Sequence, residues 1–298
     1  MEHISFKELL NLKGKKILHT THVKSDCDGI ASIYWGLSIF GGSYFIPPYE
    51  LRSAAGLIEM LNLKNSTDSI DDFDIIFIYD TEKRQDLPFK INKPYVIFDH
   101  HHKRDGEFVE NALFCYIEPS SANVINLYNL SIKENLPLND EILFSFAVAL
   151  YTDTAMFRTA REGEFFYFSK FLKNRRFEDI LDVVYYKDID KSSFLKTIKK
   201  AKFYNINGLN VCVLKFKDND QFYGFVDGLF NILNLDVLIG ILKEGIKIHV
   251  KKRYVQKIYH MLFVPIQKKL NIERVQGIWM NFFDYKILLK ALEDYKGG

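Results

Sequence analysis

Two stretches decide the fold: Ile75-Ile76-Phe77-Ile78-Tyr79-Asp80 and Tyr95-Val96-Ile97-Phe98-Asp99-His100-His101. Each is a continuous apolar run that ends abruptly in acidic or imidazole side chains. A strand with one face in water alternates apolar and polar residues, and a strand covered on both faces does not. Both runs therefore read as parallel strands sandwiched between helices. Working outward, residues 16–22 read as another strand, 29–40 as a buried helix, 43–46 as a short strand and 54–63 as a helix. Ser5 with Glu8 three residues later has the form of a capping box, opening a short helix that stops near Gly14. This βαβ rhythm predicts an α/β fold whose N-terminal domain is a doubly wound, mostly parallel sheet.

Towards the C-terminus the pattern changes. Helices dominate from residue 121 to about 202, including the very apolar segment 141–150. Beyond that, 209–216 reads as a strand, 222–233 as a helix, and 237–242 with 247–250 as a hairpin around Glu244-Gly245. A helix over 255–270, a strand near 275–280 and a final helix over 285–295 complete a smaller mixed α/β domain. A chain of 298 residues, 48% hydrophobic, is long enough for two such cores. The boundary falls near 185–205, and no internal repeat or low-complexity segment interrupts the chain.

Bulk composition narrows the function classes. No apolar run approaches the ~18 residues of a membrane span, so no membrane association is expected. The start Met1-Glu2-His3-Ile4 lacks a secretory apolar core. The three cysteines, Cys27, Cys115 and Cys212, are widely separated, which suggests neither a disulfide framework nor a thiolate zinc site and fits a reducing cytoplasm. The net charge of +2 is unevenly distributed. Residues 1–190 carry 21 Lys+Arg against 29 Asp+Glu, and residues 191–298 carry 19 against 9. An acidic first part suits cations, and a basic second part suits an anion.

Ligands gather beyond the carboxyl ends of parallel strands. In this sequence the first strand is followed by His22, Asp26 and Asp28, the next by Asp80, and the next by Asp99-His100-His101. Asp153 follows the apolar helix. So many carboxylates in one crevice could not all ionise unless cations offset them. A mixed carboxylate–imidazole set suits Mn²⁺ first and Mg²⁺ second. There are more ligands than one ion needs, which points to a pair of divalent ions. His19 and His102 read as an ordinary core and surface histidine and are left out of this set.

These blocks resemble the DHH phosphoesterases, a family named for the tripeptide seen here as Asp99-His100-His101. The resemblance spans roughly residues 15–160, through His22…Asp26-Cys27-Asp28-Gly29, Tyr79-Asp80, Phe98-Asp99-His100-His101 and Tyr151-Thr152-Asp153-Thr154 with Phe157-Arg158. It implies that His22 and Asp26 ligate one metal, that Asp28, His100 and Asp153 ligate the other, and that Asp80 bridges both. It further implies that Asp99 orients a ligating imidazole, that His101 faces the scissile phosphate and that Arg158 adds a phosphate contact. Cys27 is expected to pack away from the metals. The implied organisation is a catalytic domain over 1–190, a helical connector at about 160–202 and a DHHA1-like substrate-binding domain over 203–298.

In the RecJ-like and oligoribonuclease-like branch, the second domain carries a glycine-rich stretch ending in His. The nearest equivalent here, residues 271–279, keeps Gly277 and has no histidine. Lys251, Lys252, Arg253 and Arg274, with Lys247 and Lys257, supply cations instead, and Tyr254, Tyr259 and Trp279 lie among them. Cations that track phosphates and rings that stack bases suit a nucleotide or a short single strand as substrate. The resulting expectation is a two-metal hydrolase of short oligonucleotides, cyclic or linear dinucleotides or related nucleotide phosphates, with a homodimer compatible with the pattern. The alternatives are a manganese inorganic pyrophosphatase, a single-strand exonuclease of RecJ type and a non-catalytic nucleic-acid-associated protein.

Overall fold

The computed structural model describes residues 3–12, 14–47, 52–63, 67, 70–102, 105–186, 191–243, 245–269, 279–280 and 284–295. The chain divides into two compact units, Met1–Lys187 and Asp188–Gly298. The division falls within the helical stretch at 160–202.

The first unit begins with α1 (Phe6–Leu10), β1 (Ile17–Thr21), α2 (Cys27–Phe40), β2 (Ser43–Phe45) and α3 (Arg52–Met60). It continues with β3 (Ile75–Tyr79), β4 (Tyr95–Asp99), α4 (Gly106–Glu110), β5 (Phe114–Ile117), α5 (Asn123–Lys133), α6 (Asp140–Asp153), α7 (Glu162–Leu172) and α8 (Phe177–Val184). The sheet order is β2-β1-β3-β4-β5 and every pair is parallel. All five residues of β1, β3 and β4 are buried. Along β3, Phe77 and Tyr79 join the large core on one face, while Ile76 and Ile78 pack on the other with Ile97 and Phe108. Two covered faces account for the unbroken apolar runs. Ser5 caps α1 through the reciprocal pair with Glu8.

The second unit runs α9 (Lys191–Ile198), β6 (Lys202–Ile206), β7 (Leu209–Lys215), α10 (Asn219–Ile232), β8 (Val237–Leu242) and β9 (Gly245–Val250). It ends with α11 (Val264–Lys269), β10 (Trp279–Met280) and α12 (Tyr285–Asp294). Its sheet, β10-β9-β8-β7-β6, is mixed: β7 and β8 are parallel and the other pairs antiparallel.

Three expectations change. β5 was not anticipated; it is a half-buried edge strand of four residues, too short to show a pattern. β6 replaces the end of the expected helical region, and its mostly exposed residues carry little apolar signal. The helix expected over 255–270 starts as a π-helix, Val255–Phe263, before α11. Of the strand expected near 275–280, residues 275–278 lie outside the described residues, as does the glycine-poor stretch 271–278. Among the described residues no helix is long and apolar enough to cross a membrane.

Candidate metal centre

The strand order β2-β1-β3 places the topological switch point beside β1 and β3, where a crevice opens at the carboxyl edge of the sheet. His22 follows β1, Asp80 follows β3, Asp99 ends β4, and His100 and His101 come next. Asp26 and Asp28 occupy the start of α2, and Asp153 is the last residue of α6. All seven residues proposed as ligands or catalytic groups from the strand ends and α2, and Asp153 from α6, come together.

Two sets of ligand atoms form, each gathered within 4.8 Å: His22, Asp26 and Asp80, and Asp28, His100 and Asp153. Asp80 serves both. Its Oδ2 is 3.3 Å from His22 Nε2 and its Oδ1 is 3.2 Å from His100 Nε2. His22 Nε2 also lies 3.5 Å from Asp26 Oδ2, and His100 Nε2 lies 3.8 Å from Asp28 Oδ2 and 3.9 Å from Asp153 Oδ2. Asp80, His100 and His101 make a third such group.

Local structure fixes each ligand. Asp26 is the N-cap of α2: its Oδ1 accepts from the backbone N–H groups of Asp28 and Gly29, leaving Oδ2 facing His22. Asp28 accepts from the backbone N–H of Asn123 at 2.5 Å and of Val124 at 3.0 Å. It thereby caps α5, whose own N-cap residue, Ala122, supplies no side-chain bond. His100 Nδ1 bonds the Ser120 carbonyl at 2.8 Å. A carbonyl can only accept, so Nδ1 carries a proton and Nε2 is the nitrogen left to take either a second proton or a metal ion.

Asp99 differs from the expectation. Its Oδ1 accepts from His101 Nδ1 at 2.7 Å, so the imidazole it orients is that of His101, while a backbone carbonyl orients His100.

The electrostatics are those of a site short of positive charge. Burial, reinforced by the Asp80 carboxylate, pushes Asp28 up to about 7. Burial, then the charges of Asp28, Asp26 and Asp80, holds Asp153 well above the usual carboxylate range. Burial would raise Asp80 too, but His100 and His22 outweigh it and hold its carboxyl well below that range. Burial alone would lower His22 and His100, yet Asp26 and Asp80 drive His22 up to about 11, and Asp80 and Asp28 drive His100 up to about 10. Protons thus occupy the places that cations would take. Asp80 Oδ1 is buried and receives no hydrogen bond of acceptable geometry. That orphaned oxygen, among oxygen and imidazole donors with no thiolate, fits hard or borderline divalent ions.

Cys27 is fully buried, and burial raises its thiol to about 12. It contacts Ser53 and Thr152 and stays neutral. His19, set aside from the ligand set, is buried in the core: Nε2 donates to the Gly41 carbonyl at 2.7 Å and Nδ1 accepts from the Tyr79 hydroxyl at 2.8 Å. Burial lowers its pKa to about 4, so it is neutral.

The expected substrate contacts are less concentrated. Arg158 lies exposed, its Nε donating to the Ala155 carbonyl at 2.8 Å. In the second unit, Lys251 Nζ is 3.7 Å and Arg253 Nη2 is 3.2 Å from Oδ1 of buried Asp236, so one carboxylate engages both cations. Lys247 is buried over the Phe222 ring rather than displayed. Arg274 and the side chains of Lys252, Tyr259 and Trp279 lie outside the described residues. Ser120, Asn123 and Asn126, between β5 and the first turns of α5, were not singled out from sequence. The signal that could have found them is the pair of asparagines set among apolar residues in Asn123-Val124-Ile125-Asn126-Leu127 at the start of α5.

The sequence matches no protein-family model and no curated protein. Solved structures are similar in fold. An exopolyphosphatase-related protein from Bacteroides fragilis superposes with a TM-score of 0.63 at 16% identity, covering 98% of this chain and 95% of that one. A Methanococcus jannaschii protein assigned as a family II inorganic pyrophosphatase superposes with a TM-score of 0.50 at 14% identity, covering 93% of this chain and 99% of that one. This chain shares its fold with both structures.

Proposed function

We propose that this chain is a metal-dependent phosphoester hydrolase holding two divalent ions. His22, Asp26 and Asp80 would bind one, and Asp28, His100, Asp153 and Asp80 the other. The observation that carries this reading is the placement of Asp80, whose two carboxylate oxygens face the imidazoles of two different ligand sets. Two ions held by these residues would supply Lewis acidity, making a water molecule more acidic near neutral pH and offsetting charge on phosphoryl oxygens. Mn²⁺ is the first choice and Mg²⁺ the second.

The chain's own residues do the rest. Ser120 fixes the His100 tautomer so that Nε2 stays available. Asp99 holds His101 by Nδ1; although burial acts the other way, Asp99 and then Asp80 raise its pKa. With its side chain 37% exposed, His101 can meet a substrate, and the raised pKa favours its protonated form. Its Nε2–H would donate to a phosphoryl oxygen and stabilise the charge that accumulates there.

For the substrate we propose a nucleotide or short oligonucleotide phosphate, supported by the basic second part of the chain. A second reading, hydrolysis of a phosphoanhydride, is favoured by the similarity to an exopolyphosphatase-related protein and to a protein assigned as a family II inorganic pyrophosphatase. A Mn²⁺-supplemented screen of labelled dinucleotides, longer single strands, cyclic dinucleotides and pyrophosphate separates them. Turnover of dinucleotides but not pyrophosphate supports the first reading, and the reverse supports the second. A protein that binds Mn²⁺ but turns over none of them would sink the hydrolase assignment.

A further inference from the structure

The segment linking β5 to α5 makes an unusual number of contacts with the ligands. We infer that Asn126 is a positioning residue for one ion of the pair and not the other. This inference rests on the proposed two-metal reading.

The last rung of the β4–β5 ladder pairs Asp99 with Ile117. Beyond it the strands diverge, and the carbonyls of Asp99 and Glu118 lose their sheet partners. The side-chain amide of Asn126 takes their place: Nδ2 donates to Asp99 O at 3.1 Å and to Glu118 O at 2.5 Å. Asn126 is buried, and both partners are carbonyls, so the NH₂ end must face them. Each of its two hydrogens is used, one on each strand.

The consequence reaches a ligand by two routes. The Asp99 carbonyl and the His100 N–H belong to one rigid peptide plane. Holding that carbonyl sets the direction in which His100 leaves the strand. Glu118 lies two residues before Ser120, whose carbonyl holds His100 Nδ1. One amide therefore fixes both the backbone that carries His100 and the backbone that aims it. Asn126 also lies in the first turn of α5, whose leading N–H groups hold both oxygens of Asp28. His100 and Asp28 belong to the Asp28–His100–Asp153 set, and neither belongs to the His22–Asp26–Asp80 set. Loss of the amide should loosen the first set selectively.

The test is a Mn²⁺ titration of the full chain, followed by free-Mn²⁺ electron paramagnetic resonance, for wild type, Asn126→Ser, Asn126→Ala and Asn129→Ala. Partners outside the ligand shell typically govern ~10–100-fold in metal affinity. Asn126→Ala should retain one ion at wild-type affinity and bind the other ~10–100-fold more weakly. Asn126→Ser, which keeps one donor, should fall between. Asn129→Ala, on the same helix as Asn126, loses an exposed bond to Tyr167 of α7 and should match wild type. Equal weakening of both ions, or no weakening, overturns the inference. If Asn126→Ala does not fold, Asn126→Ser carries the test. Failure of both to fold also overturns it, because the amide would then serve the fold rather than the ion. A wild type that binds no divalent ion would instead defeat the two-metal reading itself, which separates the two failures.

Discussion

Asp80 combines its bridging geometry with a left-handed backbone, φ 51°. Asp and Asn tolerate that region better than most residues, so Asp80→Asn keeps the backbone and the shape while removing the charge. We expect it to fold, to lose Mn²⁺ and to lower turnover by about 10²–10³-fold or more; near-normal turnover would defeat the bridging role. Asp99→Asn should act differently. It leaves both ligand sets intact but takes the carboxylate from His101, so two Mn²⁺ should remain while kcat falls about 10²–10⁴-fold. The acidic form of His101 would also be lost at lower pH than in wild type, moving the alkaline limb of the rate profile down. The titration behaviour of the metal-free site gives a third expectation. His22 and His100 are raised above 6.5, to about 11 and about 10, so the stability they lend is complete below pH 6.5 and disappears as pH climbs through those values. Metal must displace these protons, together with those held by Asp28 and Asp153, so Mn²⁺ affinity should rise with pH, with at least two protons released at pH 7 when both ions bind. Calorimetry in buffers of different ionisation heat reads that number, and a buffer-independent enthalpy contradicts it.

Among the elements, α2 lies unusually close to the sheet. A Cβ on Gly36 would run into the Tyr79 hydroxyl and come within 2.7 Å of His19 Nδ1, the two atoms joined by a buried hydrogen bond. Gly36→Ala should therefore cost about 1–3 kcal/mol through overpacking, offset by roughly 1 kcal/mol of gained helix propensity. A urea midpoint that falls at unchanged slope would show this, and a midpoint at or above wild type would refute it. This scale also explains what was readable in sequence. β1, β3 and β4 announce themselves because strands buried on both faces are apolar throughout, and the ligands announce themselves because charges cannot follow such a strand without a purpose. β5 and β6 are edge strands, where burial imposes little pattern. The work of Ser120, Asn123 and Val124 is done largely by main-chain groups, which any residue could supply, so composition hides it. The orientation of His101 by Asp99, rather than of His100, depends on side-chain rotation that residue order does not specify.

At the scale of the whole molecule, every member of both ligand sets lies within the first unit. The second unit is where sequence reading and structure part most: its cations looked available for phosphate, but buried Asp236 engages Lys251 and Arg253. The pattern of Lys and Arg was legible, and the carboxylate beneath them was not, because Asp236 stands on another strand's approach. Within the first unit the ligands are drawn from positions scattered between His22 and Asp153, and the Asp28–Asn123 bond alone spans 95 residues. A parallel sheet closes such separations late, since each requires a long crossover to be ordered first. Half a site would have nothing to grip an ion with. Mn²⁺ should accordingly leave the refolding rate of this chain unchanged and slow its unfolding, the signature of contacts absent from the transition state. Stopped-flow refolding that quickens with Mn²⁺ would contradict this. On the proposed two-metal reading, the ion would be a latch that shuts after assembly rather than a template that guides it, and would contribute to the lifetime of the folded chain.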